Sequence, residues 1–289
     1  MRYQNRSRRP RPKKQLPISA VNGVSPSQVL PLRSKQYYDA FLVVDVEGTC
    51  KLGTDFNYPN EIIEFPVCIV EWRDRSEDGL GSVLEVVDEF RSFVKPTWRP
   101  TLSNFCTQLT GITQEQVDSS PHFPEVLEHL EAFLVKNGLI EQGTRQRLKK
   151  FCWCSDGPFD IRDFVVKQCY ISQVQMPPWL QSDVLDVRST VLQYLSVLPP
   201  ASIPQLTTTQ GGITRRSLNI ATQLKVLELP EFQGRQHSGI DDTRNVAKVL
   251  IELARRGMCL LPNTTIHPGK RWAWMGRDGE VLEAGLTCA

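Results

Sequence analysis

An apolar run that ends in two acids constrains this chain more than any other stretch. In FLVVDVEGTC, residues 41–50, Asp45 and Glu47 follow Leu42-Val43-Val44 and lie two residues apart. Strand side chains alternate between faces, so both carboxylates point to one side. Phe41–Val46 is nearly continuously apolar, the pattern of a strand at the centre of a sheet. Two like charges there repel and lose hydration. No Lys or Arg lies between Lys35 and Lys51. A divalent cation is the usual partner for converging buried carboxylates. An isolated D-x-E pair is more simply a surface strand edge, but the flanking apolar run argues against exposure.

The remaining sequence supplies elements for such a sheet. EIIEFPVCIVEW reads as a second strand and VLEVVDEFRSFV as a third, with no helix between them, which predicts antiparallel neighbours. Thr113 caps a helix, with Gln116 as its capping-box partner. A second helix starts near Phe123, with Val126, Leu127, Leu130, Phe133 and Leu134 on one face and Gly138 near its end. KKFCWCSD is a fourth strand, followed by a Gly-Pro turn and a helix over FDIRDFVVKQCY. SDVLDVRSTVLQYL predicts a short strand running into a helix, and TRRSLNIATQLKVLEL another helix. HSGIDDTRNVAKVLIELARRG predicts a polar turn and a long amphipathic helix to Gly257. The order β-β-β-α-α-β-α-(β)-α-α predicts an α/β fold, a mixed β-sheet flanked by α-helices. The extension 266–289 contains KRWAWMGRDGEVLEAG, a candidate β-hairpin. Its Trp272 and Trp274 are expected to pack an added strand onto the domain, with base stacking as the alternative.

Charge divides the chain. Residues 1–36 hold nine basic residues and no acid, so a net charge of +2 leaves −7 on the remainder. That tail, rich in Pro, Ser and Arg, is expected to be disordered, with the ordered domain spanning 37–265. A basic tail on an acidic body suits a polyanionic partner, or a nuclear address. No apolar run approaches a membrane span and no signal-peptide core is present, which predicts a cytoplasmic or nuclear protein with no membrane partner. Eight cysteines are scattered, and the C-x-C of Cys152 and Cys154 is not a zinc or redox spacing. Buried free thiols are expected.

Further acids sit at element boundaries. Asp160 in CSDGPFDIRDF starts a helix just beyond the fourth strand, with Asp156 as a competitor in the same turn. Either could simply cap that helix. His237 and Asp242 lie five apart across the start of the last long helix, where Asp241 suits the helix dipole.

In this order the fragments resemble the DEDDh family of 3′–5′ exonucleases: D-x-E on the first strand, an Asp after a later strand, H-x-x-x-x-D opening a late helix. EIIEFPV, CTQLTGIT, DGPFDI and HSGIDDTRNVAKV, with the spacing between them, resemble its Eri-type branch, over roughly residues 38–262. That branch includes the 3′ histone-mRNA exonucleases and enhancer-of-RNAi nucleases. The resemblance implies a ribonuclease H-like fold and two Mg2+ ions, with Mn2+ as a possible substitute. The implied metal ligands are Asp45, Glu47, Asp160 and Asp242, with Asp45 bridging, and His237 is the implied general base. The choice of Asp160 over Asp156 rests on DGPFD resembling the family's D-G-x-W-D. The sequence departs at Val46 and Gly48, where the family has an aromatic and an alanine, and at Phe159, where Trp is common. No SAP-type nucleic-acid-binding module precedes the nuclease region, which bears on any stem-loop specificity.

The chemistry implied is hydrolysis of RNA from its 3′ end to nucleoside 5′-monophosphates, in small-RNA or RNA 3′-end processing. A histidine side chain titrates near neutrality, as a general base should. The loop Gly48-Thr49-Cys50 follows Glu47 directly, and Gly48 lets the backbone approach a sugar or base. Main-chain groups of this loop are implied to contact the terminal 2′- and 3′-hydroxyls, which would favour RNA over DNA. Leu109, Thr110 and Gly111 resemble the family's wedge beside the terminal bases, or serve only packing, and Phe159 is a candidate base stacker. The partners implied are RNA 3′ ends, single-stranded or in short overhangs, and RNA-silencing or ribosome-associated proteins. A DNA-preferring exonuclease and an inactive nucleic-acid-binding scaffold are the alternatives.

Overall fold

A computed structural model describes residues 32–199 and 218–283 of the chain. Its centre is a mixed sheet built around β2 (Ala40–Val44). β2 pairs antiparallel with β4 (Ile62–Trp72), and β4 in turn pairs antiparallel with β6 (Leu84–Phe93). On its other side β2 runs parallel to β7 (Phe151–Ser155), which runs parallel to β8 (Val184–Asp186). The three antiparallel strands and the mixed sheet agree with the expectation drawn from strands that follow one another without an intervening helix.

Both faces of the central strands are covered, which is why their sequences are apolar throughout. Ala40, Leu42, Val44, Phe151 and Trp153 enter one core, with α3 (Phe123–Lys136). Phe41, Val43, Cys152 and Cys154 enter the other, with α5 (Val187–Val197), α6 (Ile220–Val226) and α7 (Gly239–Arg255). The buried positions of α3 are Phe123, Val126, Leu127, Leu130, Phe133 and Leu134. A third, smaller core joins Ile63 of β4 to Cys106 of α1 (Asn104–Thr110) and Val117 of α2 (Gln114–Asp118), the latter opened by the Thr113–Gln116 capping box.

The first strand is shorter than its apolar run. β2 stops at Val44, and pairing resumes only at β3 (Glu47–Gly48), where Glu47 faces Glu64. Val44 faces Val67 in the same register, so Pro66 stands opposite Asp45 and offers no N–H to the ladder. The N–H of Val46, for its part, donates to a side chain, Asp160 Oδ1 at 2.9 Å, and not to a neighbouring strand. The expected strand over Phe41–Val46 is thus interrupted at the acid.

The expected tail boundary after Gln36 lies too late. β1 (Ser34–Lys35) pairs with β5 (Leu80–Gly81), and Gln36 is buried, donating to Met258 O at 2.9 Å. Residues 1–31 and 284–289, with part of the expected helix before Leu218, lie outside the described residues. In the C-terminal extension Met275 and Val281 form a single antiparallel bridge, and Trp274 is buried. All seven described cysteines are free, and Cys288 lies outside the described residues. Among the described residues, no helix is long and apolar enough to cross a membrane.

Candidate active site

The carboxyl ends of β2 and β7 open into a cavity of about 570 Å³. Asp45, Glu47, Asp160, Asp242 and His237 all line it, though they come from three separate parts of the chain. Asp45 is half-buried at the end of β2, and Glu47 is buried on β3. Asp160 begins a π-helical turn, Asp160–Val165, that leads into α4 (Val166–Ile171). Asp242 lies in the first turn of α7. Close approach of α7 to β2 requires Gly239, since a Cβ there would stand 2.7 Å from Asp45 O.

These acids are far from their ordinary state. Burial, then the Asp160, Asp242 and Glu47 charges, push Asp45 well above the usual carboxylate range. Burial, with Asp242 and Glu64 nearby, raises Glu47 to about 9. Burial raises Asp160 to about 7 against the opposing hydrogen bond from Val46, and Asp242 to about 7 against those from the His237 and Ser238 backbone. Among the described residues no three His, Cys, Asp or Glu side chains stand as a ready-made metal cluster. Four uncompensated carboxylates repel one another, and an all-oxygen donor set facing one cavity suits a hard divalent cation.

Asp156 takes a different role. It accepts from Arg188 Nη2 at 2.5 Å and from Gln223 Nε2 at 2.6 Å. Its charge is already paired, whereas Asp160 accepts from the backbone N–H of Val46. Neither caps the following helix through its side chain.

His237 is exposed on the loop before α7, with φ of 61° in the left-handed region. The turn beyond it is held by Glu64, which is wholly buried on β4. Glu64 accepts from Gly239 N at 3.1 Å, Ile240 N at 3.3 Å and Arg91 Nε at 2.7 Å.

The expected substrate residues divide. Gly48, Cys50, Leu109 and Phe159 line the cavity, while Thr49 and Thr110 do not. Thr49 is tied to the start of β4, donating from its N–H to Glu61 O at 2.7 Å and accepting from Glu61 N at 2.9 Å. Thr110 is buried, its hydroxyl donating to Cys106 O at 2.9 Å. Gly48 leaves room for Phe164, because a Cβ there would meet that ring at 2.6 Å. Phe159 already stacks on Phe56, with centroids 4.6 Å apart and planes 10° from parallel. Glu64, Arg188, Phe56 and Phe105 were not among the expected residues. Phe105 adjoins the C-T-Q-L-T-G-I-T motif, and that position was its only signal.

A ribonuclease H-like sheet, with acids from its central strand and a late helix lining one cavity with a loop histidine, is the architecture of the DEDDh exonuclease class. The chain belongs to the Exonuclease family RNase_T, matched over residues 42–250, and within it to the Eri-type nucleases. It is 33% identical over 223 residues to the 3′–5′ exonuclease eri1 of Schizosaccharomyces pombe, covering 72% of this chain and 66% of that protein. It is 31% identical over 234 residues to 3′–5′ exoribonuclease 1 of Homo sapiens, covering 81% of this chain and 58% of that protein. The chain thus spans less than two thirds of the length of these relatives. Its structure resembles the nuclease domain of 3′hExo, a DEDDh family member solved bound to rAMP. There the TM-score is 0.66 and identity 27%, over 81% of this chain and 100% of that one. The family is generally divalent-metal dependent.

Proposed function

We propose that this chain is a divalent-metal-dependent 3′–5′ exoribonuclease that releases nucleoside 5′-monophosphates. The observation that carries it is the meeting of Asp45, Glu47, Asp160 and Asp242 in one cavity with His237 at its rim. The four carboxylates would hold two Mg2+ ions, or Mn2+. Such ions supply an activated water and stabilise charge on the leaving oxygen. An imidazole nitrogen of His237 takes the proton of the attacking water. The new bond forms from that oxygen to phosphorus and the bond from phosphorus to the upstream O3′ breaks. The shortened strand leaves with a 3′-hydroxyl, and the released nucleotide keeps its 5′-phosphate.

The loop 48–50 is the proposed reader of the terminal ribose. The Thr49 N–H is taken by Glu61 and the Thr49 carbonyl by Asn60 Nδ2 at 2.6 Å, while a carbonyl oxygen with a free lone pair elsewhere in the loop can accept from a 2′- or 3′-hydroxyl. The Cys50 carbonyl already accepts from Ser103 Oγ at 2.6 Å and keeps a second lone pair. Small RNAs or the 3′ ends of larger RNAs, in cytoplasm or nucleus, are the proposed substrates, with RNA-silencing or ribosome-associated proteins as partners. Matched single-stranded RNA and DNA oligonucleotides with Mg2+ test the reading. RNA should shorten from its 3′ end and DNA more slowly, while equal rates on both would remove the ribose reading and undigested RNA the activity.

A further inference from the structure

His237 must hold a strained backbone on an exposed loop, and what holds it comes from another part of the chain. A left-handed φ costs a side-chain-bearing residue about 1–2 kcal/mol and persists only where its surroundings impose it. Arg235, two residues earlier, reaches out of this loop and donates from Nη2 to Gln108 O at 2.7 Å. Gln108 lies in the last turn of α1, where carbonyls lack helical partners and the helix dipole favours a cation. α1 has no basic residue of its own in that turn. Gly111, with φ of 75°, ends the helix and leaves room for the guanidinium, since a Cβ there would stand 2.4 Å from Arg235 Nη1.

The other end of Arg235 is equally fixed. Its backbone N–H donates to Asp241 Oδ2 at 3.0 Å, and its carbonyl accepts from Ser238 N at 3.2 Å, closing the turn that contains His237. Gly234 makes this possible, because a Cβ there would lie 2.4 Å from the Asp241 carboxylate carbon. One residue therefore joins the histidine turn to the helix that carries Phe105 and Leu109, and both segments line the same cavity.

We propose that Arg235 is a positioning residue that latches the histidine loop onto the carboxyl end of α1. The wall of the terminal-nucleotide cavity and the general base are thereby held as one unit. The proposal rests on the reading of His237 as general base. Gly111 serves the latch as well as the helix end, since its left-handed φ terminates α1 and its missing Cβ leaves room for the guanidinium.

The test is a double-mutant cycle on a short single-stranded RNA with saturating Mg2+, using wild type, Arg235→Ala, His237→Ala and the double variant. A general base contributes roughly 10²- to 10⁴-fold, so His237→Ala should lose that much of kcat. Arg235→Ala should lose roughly 10- to 100-fold of kcat, as expected of a misplaced group, with KM changing far less. In the His237→Ala background the same change should lose less than about 2-fold, because no base remains to be positioned. Equal losses in both backgrounds would overturn the latch and assign Arg235 to stability or to direct phosphate contact. A wild-type kcat in His237→Ala would instead remove the base on which the proposal rests. Hydrogen exchange tests the latch without catalysis: Arg235→Ala should speed exchange across residues 232–238 and 104–111 together, and unchanged exchange there would also overturn it.

Discussion

The carboxylate of Glu64 accepts the backbone N–H of Gly239 across the sheet, 3.1 Å away. Glu64 also takes Ile240 N and the Arg91 guanidinium, so one buried acid sets where α7 begins and hence where Asp242 points. Glu64→Gln keeps the shape, but its amide nitrogen would face a donor that the carboxylate accepted. Breaking such a buried charged network costs about 2–4 kcal/mol. Chemical denaturation of Glu64→Gln should show that loss, accompanied by a fall in kcat. Wild-type stability in the variant would mean that α7 is anchored elsewhere.

Proton linkage gives a second expectation. Asp160 and Asp242 are raised to about 7 and Glu47 to about 9 in the folded chain. In the unfolded chain such groups titrate near roughly 4. A carboxyl raised on folding stabilises the fold while it is protonated, and that contribution is lost as pH rises through the folded value. The metal-free protein should therefore lose thermal stability from these groups between about pH 4 and 9. Added Mg2+ should raise Tm little at pH 5 and much more at pH 8. A Mg2+ effect independent of pH would show that the ion does not bind these carboxylates.

The two aspartates of the DGPFD turn can be separated by substitution. Asp160→Asn should abolish Mg2+-dependent digestion with the fold retained, as should Asp45→Ala. Asp156→Asn should keep measurable turnover and instead lose stability, because Arg188 is left partly buried without its anion. RNA digestion by Asp160→Asn at the wild-type rate would reverse the assignment.

What the sequence made legible follows from the range of the interactions involved. The capping box of Thr113 and Gln116, the buried face of α3 and the doubly buried central strands are written in neighbouring residues, and all are present. Asp45 and Glu47 were legible because they violate an apolar pattern. Pro66 was visible but not its consequence, since interrupting the ladder beside Asp45 depends on a register that only the paired strand supplies. Glu64 gave no signal in the sequence, because the two backbone N–H groups it accepts from lie 175 and 176 positions away. Thr49 looked like a substrate contact because it follows Glu47, but β4 occupies it first.

The C-terminal extension should act on substrate binding through the loop 51–60. Thr54, Asp55, Phe56 and Asn60 of that loop line the cavity. From behind, Trp274 Nε1 donates to Asn57 O at 2.6 Å, and the wholly buried Lys167 donates to Phe56 O and to Tyr58 O, the latter at 3.0 Å. Trp272 stacks on Trp274 with centroids 6.3 Å apart, and Lys270 pairs with Asp163 at 2.7 Å, fixing the extension to the helices beneath. Trp274→Phe removes the indole N–H, about 1 kcal/mol for one hydrogen bond, and leaves a smaller aromatic ring in the same buried place. KM for RNA should rise roughly 3- to 10-fold while kcat stays near wild type, because the acids and His237 stand on other elements. A fall in kcat at constant KM would mean that the extension supports the acids themselves, through Lys270, Asp163 and the turn that carries Asp160.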